Sequence, residues 1–61
     1  MRSFLIRLLL PAGAVSAHRG TVPAALELAR HLEEQGERVV VTTPDGHTLA
    51  PREFAFAWGL A

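Results

Sequence analysis

Four consecutive residues, His18, Arg19, Gly20 and Thr21, have side chains that could bind an anion. A helix is expected to begin directly after them, and the free N–H groups at a helix N-terminus attract negative charge. Arg19 would add a positive charge at that end. The same residues also fit an ordinary helix start, in which the Thr21 hydroxyl accepts from the Ala24 amide and Arg19 is solvated. Both interpretations stay open for this candidate anion loop.

The other side chains that could do chemistry are scattered along the chain. The histidines lack the spacing of metal ligands, and the glutamates near the end of the expected helix are typical of a solvated surface. Ser16 lies near His18, but no acid is placed to complete a nucleophilic site. We therefore predict no metal, no cofactor and no catalytic residue. The side chains considered are those of His18, His31, His47, Glu33, Glu34 and Glu37.

Three elements are expected to position these residues. A strand over about 3–10 is apolar on both of its sides, which is typical of a strand inside a sheet covered on both faces. Apolar residues at helical spacing predict a helix over about 22–35, with Gly36 at the left-handed position after its end. A second apolar strand is expected over about 38–43. Strand, loop, helix and strand predict a parallel β-α-β unit in an α/β fold, with one helix on one sheet face.

The last third of the chain begins with a turn signal, Pro44-Asp45-Gly46. A short hairpin return through residues 48–50 follows from it. Residues 52–58 fit a third strand with Phe54, Phe56 and Trp58 on one aromatic face. They also fit a two-turn helix between Pro51 and Gly59. The strand is our preferred interpretation.

Residues 4–44 resemble the N-terminal β-α-β unit of GT-B fold glycosyltransferases, of the kind that glycosylate macrolides, glycopeptides and sterols. In that family a loop of the type G-[ST]-R-G-D-V-x-P precedes the helix, and His18-Arg19-Gly20-Thr21-Val22 is similar to it. The family's helix and strand pattern is x-A-L-A-x-x-L-x-x-x-G-H-x-V followed by T-P, and several of its positions align with this chain without a gap. The matching positions are Leu28, Ala29, Leu32, Gly36, Val39, Thr43 and Pro44.

The resemblance implies an acceptor-side piece of a nucleotide-sugar transferase, and the chain departs from it at two functional points. Thr21 stands where the family has its general base, an Asp or a His, and a neutral hydroxyl cannot accept a proton at pH 7. The family's second domain, which binds the nucleotide sugar, has no counterpart in these 61 residues. We therefore expect the chain to be inactive by itself, as an auxiliary or a relic.

Length and composition favour association with another protein. A single domain over 1–61 buries only roughly 60% of its unfolded surface, so its stability is expected to be marginal. The chain has no Cys, which excludes disulfides and is compatible with a cytoplasmic location. Six basic residues balance six acidic ones, so we expect neither a nucleic acid nor a membrane as partner.

The alternative function is a non-enzymatic interaction module, such as an adaptor, an inhibitor or a regulatory partner. A sheet that is apolar on both faces but has a single helix leaves one face for a homo-oligomer or a larger protein partner. The aromatic residues are expected to belong to the core or to such a contact. The candidate interaction residues are Leu5, Leu9, Val40, Phe54, Phe56 and Trp58.

Overall fold

The computed structural model describes residues 3–58 and shows a mixed α/β fold, which confirms the predicted fold class. Four strands form one sheet in the order β2-β1-β3-β4, and every neighbouring pair is antiparallel. The elements, in chain order, are β1 (Phe4–Leu10), β2 (Gly13–Arg19), α1 (Val22–Glu34), β3 (Arg38–Thr42), β4 (Thr48–Leu49) and α2 (Pro51–Ala57).

The predicted loop before α1 is wrong in part, because residues 13–19 form the strand β2. Pro11 and Ala12 make a two-residue connection, and Leu10 lies opposite Gly13 in the resulting hairpin. The extra strand also reverses the direction of the second predicted strand. Because β2 returns the chain to the starting end of β1, α1 runs parallel to β1 and β3 runs back against it. The predicted parallel pairing of these two strands is therefore wrong.

The order of two strands and a helix occurs twice along the chain. Each strand pair is joined by a Pro-x-Gly turn, Pro11–Gly13 in the first half and Pro44–Gly46 in the second. Each helix has a proline in its first turn, where the missing N–H leaves no hydrogen bond broken. The inner strands of the two halves, β1 and β3, pair with each other at the centre of the sheet.

Both helices pack on the same face of the sheet, so the core is a single layer between helices and strands. Alternate residues of β1 and β3 point into it, including Phe4, Ile6 and Val41, all of which are buried. Small residues of α1 let the helix approach the sheet closely. The buried apolar residues are Phe4, Ile6, Ala25, Leu26, Ala29, Val39, Val41, Phe54 and Ala55.

The ends of α1 follow the sequence prediction. The Thr21 hydroxyl accepts from the Ala24 amide at 3.3 Å and caps the first turn. At the other end Gly36 has φ of 83°, a backbone conformation that favours glycine. The Gly36 amide donates to the Glu33 carbonyl at 2.9 Å and the Glu37 amide donates to the Leu32 carbonyl at 3.3 Å, which completes a Schellman motif.

The preferred interpretation of residues 52–58 as a strand is wrong, because Pro51–Ala57 form α2. The predicted aromatic face is therefore divided. Phe54 and Trp58 are four residues apart and share one side of the helix, where both contact Phe4 with ring centroids 5.5 and 5.2 Å apart. Phe56 points away and is 81% exposed. Gly59, the expected residue after the helix, lies outside the described residues.

Candidate functional site

The sheet face opposite the helices is not covered by any element among residues 3–58. Residues that lie opposite each other in an antiparallel register point to the same face, so the strand pairing identifies this surface. We call it the open face. It consists of Leu5, Arg7 and Leu9 of β1, Ala14, Ser16 and His18 of β2, Arg38, Val40 and Thr42 of β3, and Thr48 of β4.

Three of the predicted interaction residues lie together on the open face. Leu5 and Val40 are half-buried by their neighbours, and Leu9 is 39% exposed. The other three lie on the opposite side of the sheet. Phe54 belongs to the core, Trp58 is half-buried against it, and Phe56 is exposed on the outer side of α2. The structure thus divides the predicted set into an open-face group and a helix-layer group.

Two arginines lie next to the apolar residues of the open face, and sequence reasoning did not select them. Arg7 lies directly opposite Val40, and Leu9 lies directly opposite Arg38. The four side chains therefore form a square in which the guanidinium groups occupy one diagonal and the apolar groups the other. Diagonal neighbours on a sheet face are about 7–8 Å apart. We call these four residues the arginine square.

The charges of the described residues are distributed unevenly between the two sides of the molecule. No Asp or Glu among residues 3–58 lies on the open face, where Arg7 and Arg38 are both exposed. The two helices instead carry an excess of acidic side chains. Their exposed charged residues are Glu27, Arg30, Glu33, Glu34, Arg52 and Glu53. The open face is therefore basic and the helix layer acidic, although the whole chain has no formal net charge.

The candidate anion loop does not converge on one point. His18 and Arg19 are consecutive residues of β2, so their side chains point to opposite faces of the sheet. His18 Nδ1 lies 3.0 Å from the Ser3 hydroxyl, and the Arg19 guanidinium donates to the His18 carbonyl at 2.7 Å. The Thr21 hydroxyl accepts from the Ala24 amide. These contacts correspond to the interpretation as a capped helix start.

Arg19 also lines a shallow groove of about 820 Å³ along the outer side of α1. The groove is open to solvent, and its other charged lining residues include Glu27, Arg30 and Glu34. Both acidic and basic side chains therefore line it. No group of three His, Asp or Glu side chains among the described residues is arranged to hold a metal ion.

A cluster at the β3–β4 turn was not selected from the sequence. Thr43 is buried, and its hydroxyl donates to the Asp45 carboxylate and accepts from the His47 amide at 3.2 Å. The imidazole Nδ1 of His47 lies 3.5 Å from the same carboxylate. Gly46 has φ of 93°, which lets the turn close so tightly. The hydrogen bond from Thr43, with a smaller contribution from His47, lowers the pKa of Asp45.

Replacement of Thr43 by valine is expected to raise the pKa of Asp45 towards its ordinary value. A carboxyl whose pKa is lowered by folding stabilises the protein above its unfolded pKa of about 3.9, and this contribution is lost as the pH falls through the lower folded pKa. The part of the protein's stability that depends on Asp45 and is lost at low pH should therefore be smaller in Thr43→Val. Carbon-13 NMR titration of the Asp45 carboxyl measures the pKa in each variant. Thr48→Val is the control, since Thr48 Oγ1 bonds Thr42 at 3.2 Å and not Asp45. An equal Asp45 pKa in both variants contradicts the assignment.

Comparisons of the chain with family models, with curated proteins and with solved structures each gave no match. The resemblance to glycosyltransferases therefore stays a prediction. It implied a parallel pair of strands joined by α1, whereas β1 and β3 are antiparallel. None of the helices within residues 3–58 is long and apolar enough to cross a membrane.

Proposed function

We propose that this chain is a non-enzymatic interaction module that binds a protein partner on its open face. The arginine square is the observation that carries the proposal, because it combines two exposed cations with apolar contact area, and no Asp or Glu of residues 3–58 lies on the open face. Such a surface is expected to bind a partner of complementary charge. The function would be that of an adaptor, an inhibitor or a regulatory partner.

The partner chemistry that fits the square is an extended polypeptide with carboxylates beside small apolar side chains. A guanidinium group binds a carboxylate through two parallel hydrogen bonds, which fixes both distance and orientation. Arg7 and Arg38 offer two such groups. Leu9 and Val40, on the other diagonal, offer contact area that loses water when the partner binds. Carboxylates therefore supply orientation, and apolar contact supplies part of the affinity.

A nucleic acid is a poorer match for this surface than an acidic polypeptide. Sheets that bind single strands present aromatic rings on which the bases stack, at about 1–3 kcal/mol per base. Here Phe4 and Phe54 are buried on the opposite side of the sheet, and Trp58 packs against them. Among the described residues the open face contains no Phe or Trp. The bases of a nucleic acid would therefore find no aromatic ring on the described part of this face on which to stack.

A second copy is also a poor occupant of the open face. Face-to-face packing of two identical open faces would place the arginine pairs of both copies in one interface. No carboxylate of the described open-face residues could neutralise them, and burying unpaired charges is unfavourable. A different protein is therefore the better occupant.

The proposal predicts that reversal of both open-face charges abolishes binding of an acidic peptide. The probe is a fluorescently labelled eight-residue peptide in which glutamate alternates with valine, measured by fluorescence anisotropy. We expect saturable binding that weakens as salt is added, and at least a tenfold loss of affinity in the double variant Arg7→Glu, Arg38→Glu. The matched control is Arg30→Glu, Arg52→Glu, which makes the same charge change on the helix layer and should retain binding.

Three results would contradict the proposal. The first is that the acidic peptide does not bind at concentrations up to about 200 µM. The second is an equal loss of peptide affinity in the two double variants. The third is that a labelled oligo-dT binds more tightly than the peptide. Incubation with nucleotide sugars tests the enzymatic alternative on the same protein. We expect no nucleotide release, and robust turnover would refute a non-enzymatic role. We also propose a cytoplasmic location, with which the absence of Cys from the sequence is compatible.

A further inference from the structure

The sheet has two edges of very different length. β4 contains only two residues, Thr48–Leu49, and is followed at once by the proline that begins α2. β2 contains seven residues, Gly13–Arg19, and among residues 3–58 it pairs with β1 on one side only. The other side of an edge strand presents unpaired N–H and C=O groups, which are a template for another strand. Natural proteins commonly keep such edges short, as β4 is here.

β2 lacks the features that normally prevent pairing between edge strands. Proline, lysine and inward-pointing charges are the usual protection, and Gly13–Ala17 contain none of them. The one inward-pointing charge of β2 is Arg19, the last residue of the strand, which lies opposite Phe4. Six of the seven residues are exposed. Val15, next to the central residue Ser16, is 57% exposed on the inner face of the sheet. The result is a long, exposed edge whose one formal charge lies at its last residue, Arg19.

We propose that β2 pairs with β2 of a second copy of this chain, in antiparallel register about Ser16. In this register Ser16 lies opposite Ser16 of the other copy, and Val15 lies opposite Ala17. The one arginine of the strand, Arg19, lies opposite Gly13, which has no side chain to obstruct it. No like charges meet, so the strand is complementary to itself, and this is why a second copy is the occupant.

The dimer would contain one continuous sheet of eight strands. A two-fold axis perpendicular to the sheet keeps both helix layers on one side and both open faces on the other. This inference goes beyond the proposed function, because it depends on the edge of the sheet and not on the arginine square. It would also display two arginine squares side by side, which favours partners with repeated acidic segments.

A single cysteine tests the register, since the chain has no cysteine of its own. Opposed residues of an antiparallel pair have Cα atoms about 4.5–5.5 Å apart, within the range of a disulfide. Ser16→Cys should therefore form a covalent dimer under mild oxidation. Ala14→Cys is the matched control, because its Cα atoms would lie about 13 Å apart across the axis. We expect at least tenfold more crosslinked dimer from Ser16→Cys, and equal crosslinking of the two variants would overturn the register.

Sedimentation equilibrium tests the association without any crosslink. We expect the unmodified chain to dimerise at micromolar concentration and Val15→Lys to weaken the dimer at least tenfold, because it adds a charge next to the centre of the edge. Thr48→Lys adds the same charge to β4 and should leave the dimer intact. A chain that stays monomeric at about 200 µM, or a Val15→Lys variant that dimerises normally, would overturn the proposal.

The two proposals fail separately. Arg7→Glu, Arg38→Glu should weaken peptide binding while the dimer persists, and Val15→Lys should weaken the dimer while each monomer still binds the peptide. A circular dichroism spectrum like that of the unmodified protein shows that each variant is folded. If the unmodified chain is a monomer that binds the acidic peptide, the proposed function is supported and the proposed dimer is contradicted.

Discussion

Replacement of Phe54 by alanine is expected to unfold most of the protein, whereas the same change at Phe56 should leave it folded. Phe54 is fully buried and contacts both Phe4 and Trp58, with ring centroids 5.5 and 6.2 Å away. Removing a buried Phe side chain typically destabilises a protein by about 3–5 kcal/mol. A domain of 61 residues has a total stability of roughly 3–9 kcal/mol, so this loss is a large part of it.

The control is unusually close, because Phe56 lies on the same helix, two residues away. It is 81% exposed, so we expect a change within about 0.5 kcal/mol for Phe56→Ala. Urea denaturation followed by circular dichroism measures both variants. If Phe54→Ala is already unfolded without urea, Phe54→Leu can be measured in its place. It should lower the free energy of unfolding by a smaller amount. Equal losses at the two positions would contradict the helix, because a strand would place both rings on one face.

An aspartate at Val41 is expected to prevent folding, whereas an aspartate at Val40 should be tolerated. These are consecutive residues of β3 that point to opposite faces. Val41 is fully buried between the sheet and the helices, where a carboxylate would have no partner. The cost of an unpaired buried charge is at the extreme of single-residue effects, about 4 kcal/mol or more.

At Val40 the new carboxylate would point to the open face, directly opposite Arg7. The pair it forms there should offset part of the lost apolar contact. Two-dimensional NMR spectra of the two variants distinguish a dispersed, folded protein from a collapsed set of resonances. Val40→Asp should also compete for Arg7 and weaken binding of the acidic peptide. A folded Val41→Asp or an unfolded Val40→Asp would mean that the two faces have been assigned in reverse.

Local features were predicted well because their causes lie within a few residues. The start of α1 depends on the Thr21 hydroxyl and its end on the positive φ of Gly36, and both were predicted from residue type. Apolar residues on both sides of β1 were also apparent. The sequence predicts one helix to cover them, whereas α1 and α2 both cover the inner face. Within residues 3–58 the other face has no cover from either helix, as expected.

The strand β2 was missed because its local pattern is weak. Its residues are mostly small, and only Val15 is β-branched, so propensity alone does not distinguish this segment from a loop. What makes it a strand is the backbone hydrogen-bond partner that β1 provides after the Pro11-Ala12 turn. When a prediction omits one strand, the direction that it gives to every later strand is reversed. The parallel arrangement expected from the order of strand, helix and strand was wrong for this reason.

Residues 51–57 show the same dependence on context. Alternating Phe and Ala residues fit a strand, while Pro51 and Glu53 fit a helix start. The Glu53 carboxylate accepts from the Ala50 amide at 3.0 Å, and Phe54 and Trp58 complete an aromatic cluster only if the chain is helical. The choice therefore depends on Phe4, fifty residues earlier in the chain. No pattern within the segment contains that information.

The amino-acid sequence by itself determined α1, its two ends, the apolar character of β1 and the tight turn at Pro44–Gly46, because each depends on neighbours in the chain. Only the tertiary structure decided the direction of β3, the separation of Phe54 from Phe56, and the edge position of β2. It also brought Arg7 and Leu9 beside Arg38 and Val40, which are about thirty residues away in sequence. These results depend on which strands pair, and pairing is settled by the packing of the whole chain.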